Sequence, residues 1–250
     1  YWINADSKNN YNPDIVSIPT EILSSTDIMY LCFPSNPQGA TTNLDYLITA
    51  IDLARKYNFI IAFDECYIDI SRLNKSKPIG ALDALVKTKS NLDNIIIFNS
   101  LSKRSNAPGL RAGFIVGDKK IIDIYKLLVS NGASPVPIPI QKAAASLYID
   151  QKHNISANKH YDRNFEIAFE FLNSFFPNFK IPDAGFYLWL PVKDDLKTTQ
   201  DLWRYYSLRV MPGRFMGKEI NGYNPGKGFL RLALVDNENV IKDAMIRLTD

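Results

Sequence analysis

The sequence predicts an α/β protein: a three-layer sandwich built on a mostly parallel sheet, followed by a smaller α+β carboxy-terminal domain. The first observation is that short, apolar, β-branched runs alternate with segments of helical periodicity, which is typical of a parallel sheet with helices on both faces. The second is that polar clusters follow the apolar runs, where each strand would end. The 250 residues suffice for one large α/β domain or for one and a half smaller ones.

The elements of the first part are predicted in chain order. Residues 1–27 predict an edge strand, a polar turn at residues 9–13 and a short helix opened by Pro19. Four apolar runs then predict the strands of the sheet, at residues 28–33 (apolar on both sides, as in a buried strand), 59–63, 95–98 and 114–117. Between the first two strands, Asn43 caps a helix with apolar residues at helical spacing, namely Leu44, Leu47, Ile48, Ile51 and Ala54.

Further helices are predicted at residues 120–130 and at 141 to about 150. A longer amphipathic stretch follows, with one apolar face made of Tyr161, Phe165, Ala168, Phe169 and Leu172. We expect this stretch to connect a large domain, residues 1–157, to a small one, residues 158–250. The small domain is predicted to contain strands at 185–190, at Val210 and at 229–235, helices at 199–207 and from about 239, and a glycine-rich loop at 222–228.

Composition and charge exclude several classes of protein. Apolar residues make up 46% and charged residues 22% of the chain, which argues against disorder. A net charge of +3 is too balanced for a nucleic-acid-binding protein. No apolar run is long enough to span a bilayer and no secretory signal stands at the start, so we expect a cytoplasmic protein. Cys32 and Cys66 lie in or beside apolar runs, which favours two buried thiols over a disulfide or a metal site.

Three consecutive strand ends carry polar side chains. Asn36 follows the first strand, Asp64 and Tyr67 follow the second, and Lys103 follows the third. The carboxyl ends of parallel strands lie at the same edge of a sheet, which is where ligands of α/β proteins gather. We therefore expect these groups to face one crevice.

The loop after the third strand has the chemistry of a phosphate site. Ser100 and Ser102 can donate hydrogen bonds, and the guanidinium of Arg111 can bind two phosphate oxygens at once. Lys103 lies between these groups in the sequence. Taken alone, Lys103 is equally consistent with an ordinary surface lysine in a polar loop.

This loop resembles the lysine motif of the fold-type I, pyridoxal-phosphate-dependent aminotransferases of class I and II. The resemblance implies that Lys103 holds pyridoxal 5'-phosphate as a Schiff base and later moves a proton. It also implies that Ser100, Ser102 and Arg111 hold the cofactor phosphate. The sequence S-L-S-K-R-S-N-x-P-G-L-R, residues 100–111, is similar to the matching segment of the bacterial N-succinyldiaminopimelate aminotransferase branch.

The same resemblance gives roles to the other strand ends. A carboxylate must pair with the pyridine nitrogen of the cofactor to keep it protonated, and Asp64 is at the matching position. Tyr67 and Asn36 would donate hydrogen bonds to the phenolate oxygen of the ring, which stabilises that anion. Without the resemblance, Asp64 is also consistent with a helix cap, and Asn36 with an ordinary Asn-Pro turn.

Arg231 alternates with apolar residues on the strand predicted at 229–235. A charged side chain in such a place is costly unless it is paired. The resemblance implies that its partner is the α-carboxylate of the substrate, which Asn36 also contacts. A structural salt bridge is the alternative.

Together these motifs predict a transaminase that acts on amino acids and 2-oxo acids. The resemblance favours N-succinyl-LL-diaminopimelate and glutamate as substrates, in lysine biosynthesis, and a homodimer. Another class I or II specificity is one alternative, and an effector-binding domain that holds the cofactor without turnover is a second. The family's amino-terminal part, which stacks an aromatic ring on the cofactor, is not matched in this chain, so a fragment that binds nothing is a third.

Overall fold

The computed structural model describes residues 1–132, 135–177 and 179–249, and among them a four-stranded sheet forms the centre of the first part. Its strands, in spatial order, are β1 (Ile28–Cys32), β2 (Ile60–Asp64), β3 (Ile95–Ser100) and β4 (Gly113–Gly117). β1, β2 and β3 are parallel, whereas β4 is antiparallel to β3. The predicted α/β class with a mostly parallel sheet is confirmed, and the three parallel strands end at one edge.

Helices connect and cover these strands. They are α1 (Thr20–Ser24), α2 (Leu44–Tyr57), α3 (Ala81–Thr88), α4 (Leu101–Arg104), α5 (Lys119–Gly132), α6 (Ile138–Ile149) and α7 (Lys152–Leu172). α2 begins as predicted, because Asn43 Oδ1 accepts a hydrogen bond from the backbone N–H of Tyr46 at 2.8 Å. Its residues Ala50 and Ala54 are fully buried in the same core as Ile61 of β2.

The helix predicted from residue 141 begins earlier, at Ile138. Pro137 precedes its first turn and Pro139 lies within that turn. The first turn of a helix leaves backbone N–H groups unpaired, so proline costs little at these positions. The prolines therefore open α6 instead of delaying it.

The second part is built on an antiparallel sheet with the spatial order β5 (Tyr187–Pro191), β7 (Phe229–Ala233), β6 (Met211–Pro212). α8 (Asp195–Tyr206) and α9 (Glu238–Thr249) belong to the same part. One face of this sheet is buried in a core that also contains Phe165 and Leu172 of α7; its members on the strands are Leu188, Leu190, Leu230 and Leu232. Because side chains alternate along a strand, the opposite face carries Tyr187, Trp189 and Arg231.

The edge strand predicted within residues 1–27 is wrong, since none of these residues forms a strand. A 3₁₀ turn, Ser7–Asn9, interrupts the segment. The carboxylate of Asp6 accepts from the backbone N–H of Lys8 at 2.9 Å, and the amide oxygen of Asn9 accepts from the N–H of Asp6 at 3.1 Å. Short polar side chains that bond to nearby backbone in this way compete with strand pairing.

β1 also differs from the expectation of a strand buried on both sides. Met29 and Leu31 are buried, but Ile28 is 59% exposed and Tyr30 is 60% exposed. β1 is at the edge of the sheet formed by the described residues. The exposure of Ile28 and Tyr30 shows that little of the described chain covers this face of β1.

α7 runs across the predicted domain boundary at residues 157 and 158. Asn154 and Asn158 donate to the backbone oxygen of Asp69 in the first part, while Phe165 lies in the core of the second. The exact division stays a prediction.

Among the described residues, no helix has the length and apolarity that a membrane crossing requires. In the same residues, no group of three or more His, Cys, Asp or Glu side chains is arranged to hold a metal ion.

Candidate active site

The turn after β1 attaches Asn36 to the second part of the molecule. Gly39 in this turn has a φ of +64°, and a Cβ at this position would lie 2.2 Å from the carbonyl oxygen of Ala184. The backbone N–H of Ala184 donates to the oxygen of Gly39 at 3.1 Å. Only glycine fits this close approach, which explains why the Asn-Pro-Gln-Gly turn ends in glycine. Asn36 thus lies close to the segment that leads into β5.

Asp64 ends β2, and two donors hold its carboxylate. The backbone N–H of Cys66 donates to Oδ1 at 3.1 Å, and the phenol of Tyr30 donates to Oδ2. Asp64 caps none of the described helices, and no cationic side chain of the described residues forms an ion pair with it. The carboxylate is therefore oriented by two neutral donors, and its charge is unpaired within the described residues.

Tyr67 is buried in an aromatic cluster at the junction of the two parts. Its ring centroid lies 5.7 Å from that of Phe186, and its hydroxyl lies 3.5 Å from the hydroxyl of Tyr187. Tyr161 of α7 also packs on Phe186, at 5.2 Å. Burial and the neighbouring Tyr187 hydroxyl raise the pKa of the Tyr67 phenol. Tyr67 therefore keeps its proton at neutral pH and is available as a hydrogen-bond donor.

Lys103 lies on α4, a single helical turn that directly follows β3. Ser100 caps this turn by accepting from the backbone N–H of Ser102 at 3.1 Å. Leu101 is fully buried and fixes the inner side of the turn. The amine of Lys103 lies 5.6 Å from the ring centroid of Phe186, within the range of a cation–π contact. Lys103 is therefore directed at the same aromatic cluster as Tyr67.

Arg104, the neighbour of Lys103, anchors the turn on its buried side. It is 3% exposed, forms an ion pair with Asp69 at 3.1 Å, and donates to the backbone oxygens of Leu147 at 2.7 Å and Tyr148 at 3.3 Å. Adjacent residues of a helix point in different directions, so Lys103 and Arg104 face different surroundings. Two neighbouring cations in a sequence do not show which of them is buried, and sequence reasoning did not select Arg104.

The groups predicted to hold a phosphate lie at the end of β3. The hydroxyl of Ser100 donates to that of Ser102 at 2.9 Å. The pairing of Ser100 with Gly113 of β4 brings the segment of Arg111 alongside. The guanidinium of Arg111 is exposed and donates to the backbone oxygen of Pro108 at 3.2 Å, with no hydrogen bond to either serine. The backbone thus gathers these residues, while the Arg111 side chain does not contact the hydroxyls.

Arg231 of β7 reaches the turn after β1. Its guanidinium donates to Asn36 Oδ1 at 3.1 Å and lies 4.4 Å from the ring centroid of Tyr187. No carboxylate of the described residues forms an ion pair with it. The structural salt bridge considered as an alternative is therefore not found in the described part of the chain. The structure brings Asn36 and Arg231 together, as the sequence prediction requires.

Tyr30 and Tyr187 are the other residues that sequence reasoning missed. Tyr30 pairs with Ala62 in the sheet, two residues before Asp64. A tyrosine in an otherwise apolar strand was the available signal, because a buried or half-buried phenol needs a hydrogen-bond partner. Tyr187 follows Phe186 directly, and no sequence pattern predicts that its ring lies under Arg231.

The two cysteines flank Asp64 and are free thiols. Both are half-buried, which is less than the sequence predicted, since Cys32 ends β1 at the sheet edge. Burial, together with the nearby carboxylate of Asp64, raises the pKa of each thiol to about 12. Both thiols stay protonated at neutral pH, so neither has the thiolate character of a nucleophile.

The side chains at the carboxyl ends of the parallel strands have the chemical groups needed to bind pyridoxal phosphate. Asp64 offers an oriented carboxylate that forms no ion pair within the described part of the chain, which suits a protonated ring nitrogen. Arg111 forms no ion pair with the described residues and suits a phosphate. Lys103 also lacks a carboxylate partner there, so its amine is free for a covalent bond. Each group lies at the end of a strand or in the loop that follows it.

Comparison with known proteins shows the family and the fold of the chain. The family described as "Aminotransferase class I and II" matches residues 1–244. The LL-diaminopimelate aminotransferase of Dehalococcoides mccartyi is 28% identical over 254 residues, covering 100% of this chain and 63% of that protein. The protein of the same description from Natranaerobius thermophilus is 29% identical, covering 97% of this chain and 61% of that protein.

Two solved structures show the same fold. An aminotransferase from Neisseria meningitidis Z2491 superposes with a TM-score of 0.92 and 36% identity, covering 100% of this chain and 64% of that one. A "probable N-succinyldiaminopimelate aminotransferase" from Thermus thermophilus has a TM-score of 0.80 and 25% identity, with the same coverage of both chains. The chain therefore spans a little under two thirds of the length of these relatives.

Proposed function

The chain belongs to the class I and II aminotransferases, and from that premise we propose that it carries the covalent and carboxylate-binding half of a pyridoxal-phosphate-dependent transaminase. The observation that carries the proposal is the contact between Arg231 and Asn36. It brings an arginine that pairs with no carboxylate of the described residues to the sheet edge where Asp64 and Lys103 also lie. An amino acid bound there by its carboxylate would have its α-amino group close to the strand ends.

Each side chain has a distinct task in this proposal. Arg231 and Asn36 bind and orient the substrate α-carboxylate. Asp64 holds a proton on the cofactor's ring nitrogen, and Tyr30 and the N–H of Cys66 fix its orientation. Tyr67 keeps its proton because burial raises the pKa of its phenol, and it would donate a hydrogen bond to the phenolate oxygen of the cofactor ring.

Lys103 anchors the cofactor, with Ser100, Ser102 and Arg111 as the proposed phosphate ligands. The cofactor, when bound, acts as the electron sink for the bond that breaks at the substrate Cα. Once the substrate amine has displaced it, the amine of Lys103 would be free to take the proton from Cα, and it lies at the aromatic cluster, 5.6 Å from the ring centroid of Phe186. The aromatic cluster of Tyr67, Tyr161, Phe186 and Tyr187 excludes water on this side.

The finer parts of the proposal concern substrate and assembly. We place the substrates among diaminopimelate-type amino acids with glutamate as amino donor, in lysine biosynthesis. Relatives named for LL-diaminopimelate and a structural neighbour named for its N-succinyl form support this choice. A homodimer and a cytoplasmic location complete the proposal, and light scattering of the purified chain and cell fractionation would test them.

The experiment is a covalent labelling of the 250-residue chain with pyridoxal phosphate. After borohydride reduction, mass spectrometry is expected to find the adduct on Lys103. Lys103→Ala is expected to lose this adduct, whereas Lys120→Ala, an exposed lysine of α5, should retain it. Equal labelling of Lys103→Ala and the wild type would contradict the assignment.

A second measurement separates catalysis from binding alone. Glutamate added to the loaded, unreduced protein should change its visible absorbance if the first half of transamination occurs. A labelled protein whose spectrum does not respond to any amino acid would instead be an effector-binding domain. A protein without label would be a fragment that does not bind the cofactor.

A further inference from the structure

A serine, a histidine and an aspartate beside the turn of Lys103 form one hydrogen-bonded chain. His153 Nε2 lies 2.8 Å from Ser105 Oγ, and His153 Nδ1 lies 3.0 Å from Asp150 Oδ2. Ser105 directly follows α4, Asp150 directly follows α6, and His153 lies in the first turn of α7. The proposed function gives no task to any of the three. A hydroxyl within hydrogen-bonding reach of a base that a third group orients is the arrangement of an activated nucleophile.

The hydrogen bonds show which nitrogen of His153 carries the proton. The pKa of Asp150 lies below its ordinary value, chiefly because His153 bonds to its carboxylate. Asp150 is therefore ionised at neutral pH and can only accept a hydrogen bond, so the proton of the neutral imidazole is on Nδ1. Nε2 is then an acceptor, and Ser105 donates to it. In this tautomer His153 can take the proton of Ser105 as a general base.

Arg104 brings a positive charge to the oxygen of Ser105. Its Nη1 donates to Ser105 Oγ at 3.3 Å, while its Nε pairs with the carboxylate of Asp69 at 3.1 Å. A cation beside a hydroxyl favours the form that has lost its proton. The oxygen of Ser105 accepts from Arg104 and donates to His153, so its position is set from two sides.

The backbone around these side chains is held in place. The N–H of Lys152 donates to Asp150 Oδ1 at 2.9 Å, which leaves Oδ2 for the histidine. Asn154 is buried and donates to the backbone oxygen of Arg104 at 3.3 Å. The start of α7 is therefore tied to the turn that ends at Ser105. Nucleophile and base are already together in the folded chain, which lowers the entropic cost of a reaction between them.

The three side chains can be reached from solvent. The side chain of His153 is 26% exposed and that of Asp150 is 49% exposed, and Ser105 is half-buried. We propose that Ser105, His153 and Asp150 form a second reactive site, in which Ser105 takes the acyl group of an activated carboxylic ester and passes it to water. This inference goes beyond the proposed function and does not depend on it.

The reaction has two steps, and each is balanced. Ser105 Oγ forms a bond to the carbonyl carbon of the ester, and the bond from that carbon to the leaving oxygen breaks. The serine proton passes to His153 Nε2 and from there to the leaving oxygen, which departs as an alcohol or phenol. Water, deprotonated in turn by His153, then attacks the acyl-serine, which releases a carboxylic acid and returns a proton to Ser105. Nothing is oxidised or reduced.

A fluorophosphonate probe tests the nucleophile on the full 250-residue chain. The serine oxygen displaces fluoride from phosphorus, and mass spectrometry locates the adduct, which is stable in water. Ser105 is expected to be labelled at least about a hundredfold faster than the exposed Ser25, whose hydroxyl donates to backbone oxygens. The chain is also expected to release p-nitrophenol from p-nitrophenyl acetate, at a rate that Ser105→Ala lowers at least about tenfold.

Two further variants test the base and the group that orients it. In His153→Gln the new side chain can accept from Ser105 but cannot take its proton, so labelling of Ser105 should slow about a hundredfold. Asp150→Asn should slow it at least about tenfold, because the histidine loses the acceptor that sets its tautomer. His160→Gln changes the other histidine of the chain and should be labelled like the wild type. Circular dichroism of each variant confirms that it is folded.

A folded wild-type chain in which Ser105 reacts no faster than Ser25 would overturn the proposal. Labelling that His153→Gln leaves unchanged, or ester hydrolysis that Ser105→Ala leaves unchanged, would overturn it as well. The three side chains would then serve only to attach α7 to the turn of Lys103. The reaction of Lys103 with pyridoxal phosphate is measured separately, so a loss of this second site would leave the proposed function as it is.

Discussion

The guanidinium of Arg231 donates a hydrogen bond to the side-chain oxygen of Asn36 over 3.1 Å, across 195 positions of the sequence. This bond joins the small antiparallel sheet to the end of β1. Asn36 is exposed and Arg231 is half-buried, so a ligand can reach the pair from solvent. The arginine is thus held in place by a neutral side chain, and no carboxylate of the described residues neutralises its charge, which suits an anionic ligand.

Replacing Arg231 tests whether that charge serves a ligand. Arg231→Gln is expected to weaken glutamate binding to the cofactor-loaded chain at least about tenfold, because a charged hydrogen-bonding partner of the carboxylate is lost. The measurement is the glutamate concentration that gives half of the absorbance change. Arg204→Gln, an exposed arginine of α8, is the matched control. A large loss of thermal stability without a change in affinity would assign Arg231 to the fold instead.

Tyr30 is expected to position Asp64. Tyr30→Phe removes one of the two donors to the carboxylate and should lower pyridoxal phosphate affinity about three- to tenfold. Cofactor titration followed by absorbance measures this, with the exposed Tyr205→Phe as control. In a chain that already carries Asp64→Asn, Tyr30→Phe should have little further effect, since the two residues act as a unit. Additive losses in the double variant would argue that Tyr30 acts elsewhere.

Glu65 makes stability depend on pH. Burial raises its pKa to about 7 from an ordinary value of 4.5, although the backbone N–H of Ala81 partly offsets this by donating at 2.7 Å. Between these two pKa values, the folded state keeps a proton on Glu65 that the unfolded state releases. The contribution of Glu65 to stability is therefore fully present below pH 4.5 and is lost as pH rises to about 7. The loss is roughly 3 kcal/mol.

Glu65→Gln should remove this dependence and stabilise the chain at pH 8. Urea unfolding between pH 4.5 and pH 8 measures it, with the exposed Glu170→Gln as control. A wild-type protein whose stability does not fall over this range would show that Glu65 is ionised at little cost.

Asp195 makes stability depend on pH in the opposite direction, because its pKa is lowered in the folded state. Burial would raise its pKa, but hydrogen bonds from Arg214 and from the N–H of Gly228 outweigh burial and lower it to about 2. Its contribution to stability is present above the ordinary pKa of 3.8 and is lost as pH falls towards 2. Asp195→Asn should cost about 3 kcal/mol at pH 7, because Arg214 loses its buried partner. Its unfolding free energy should also fall less than that of the wild type between pH 4 and pH 2; equal acid sensitivity would contradict the assignment.

Local sequence determined the strands, most helices and the identity of the chemical groups. The β-branched run at Ile95–Ser100 and the capped, amphipathic pattern of α2 act over a few residues, so neighbouring residues suffice to predict them. The spacing from Lys103 to Arg111 belongs to one continuous loop and was visible for the same reason. The early strand failed because short polar side chains around Asp6 bind their own backbone.

Only the tertiary structure decided which side chains of separate elements come into contact. No sequence pattern pairs Tyr30 with Asp64 or places Arg231 beside Asn36. These contacts join residues from separate elements, and they depend on how the two cores pack and on which face each strand presents. The physical reason is that side-chain periodicity fixes the direction of a residue within its element, whereas the distance to a remote partner follows only from the packing of whole elements against each other.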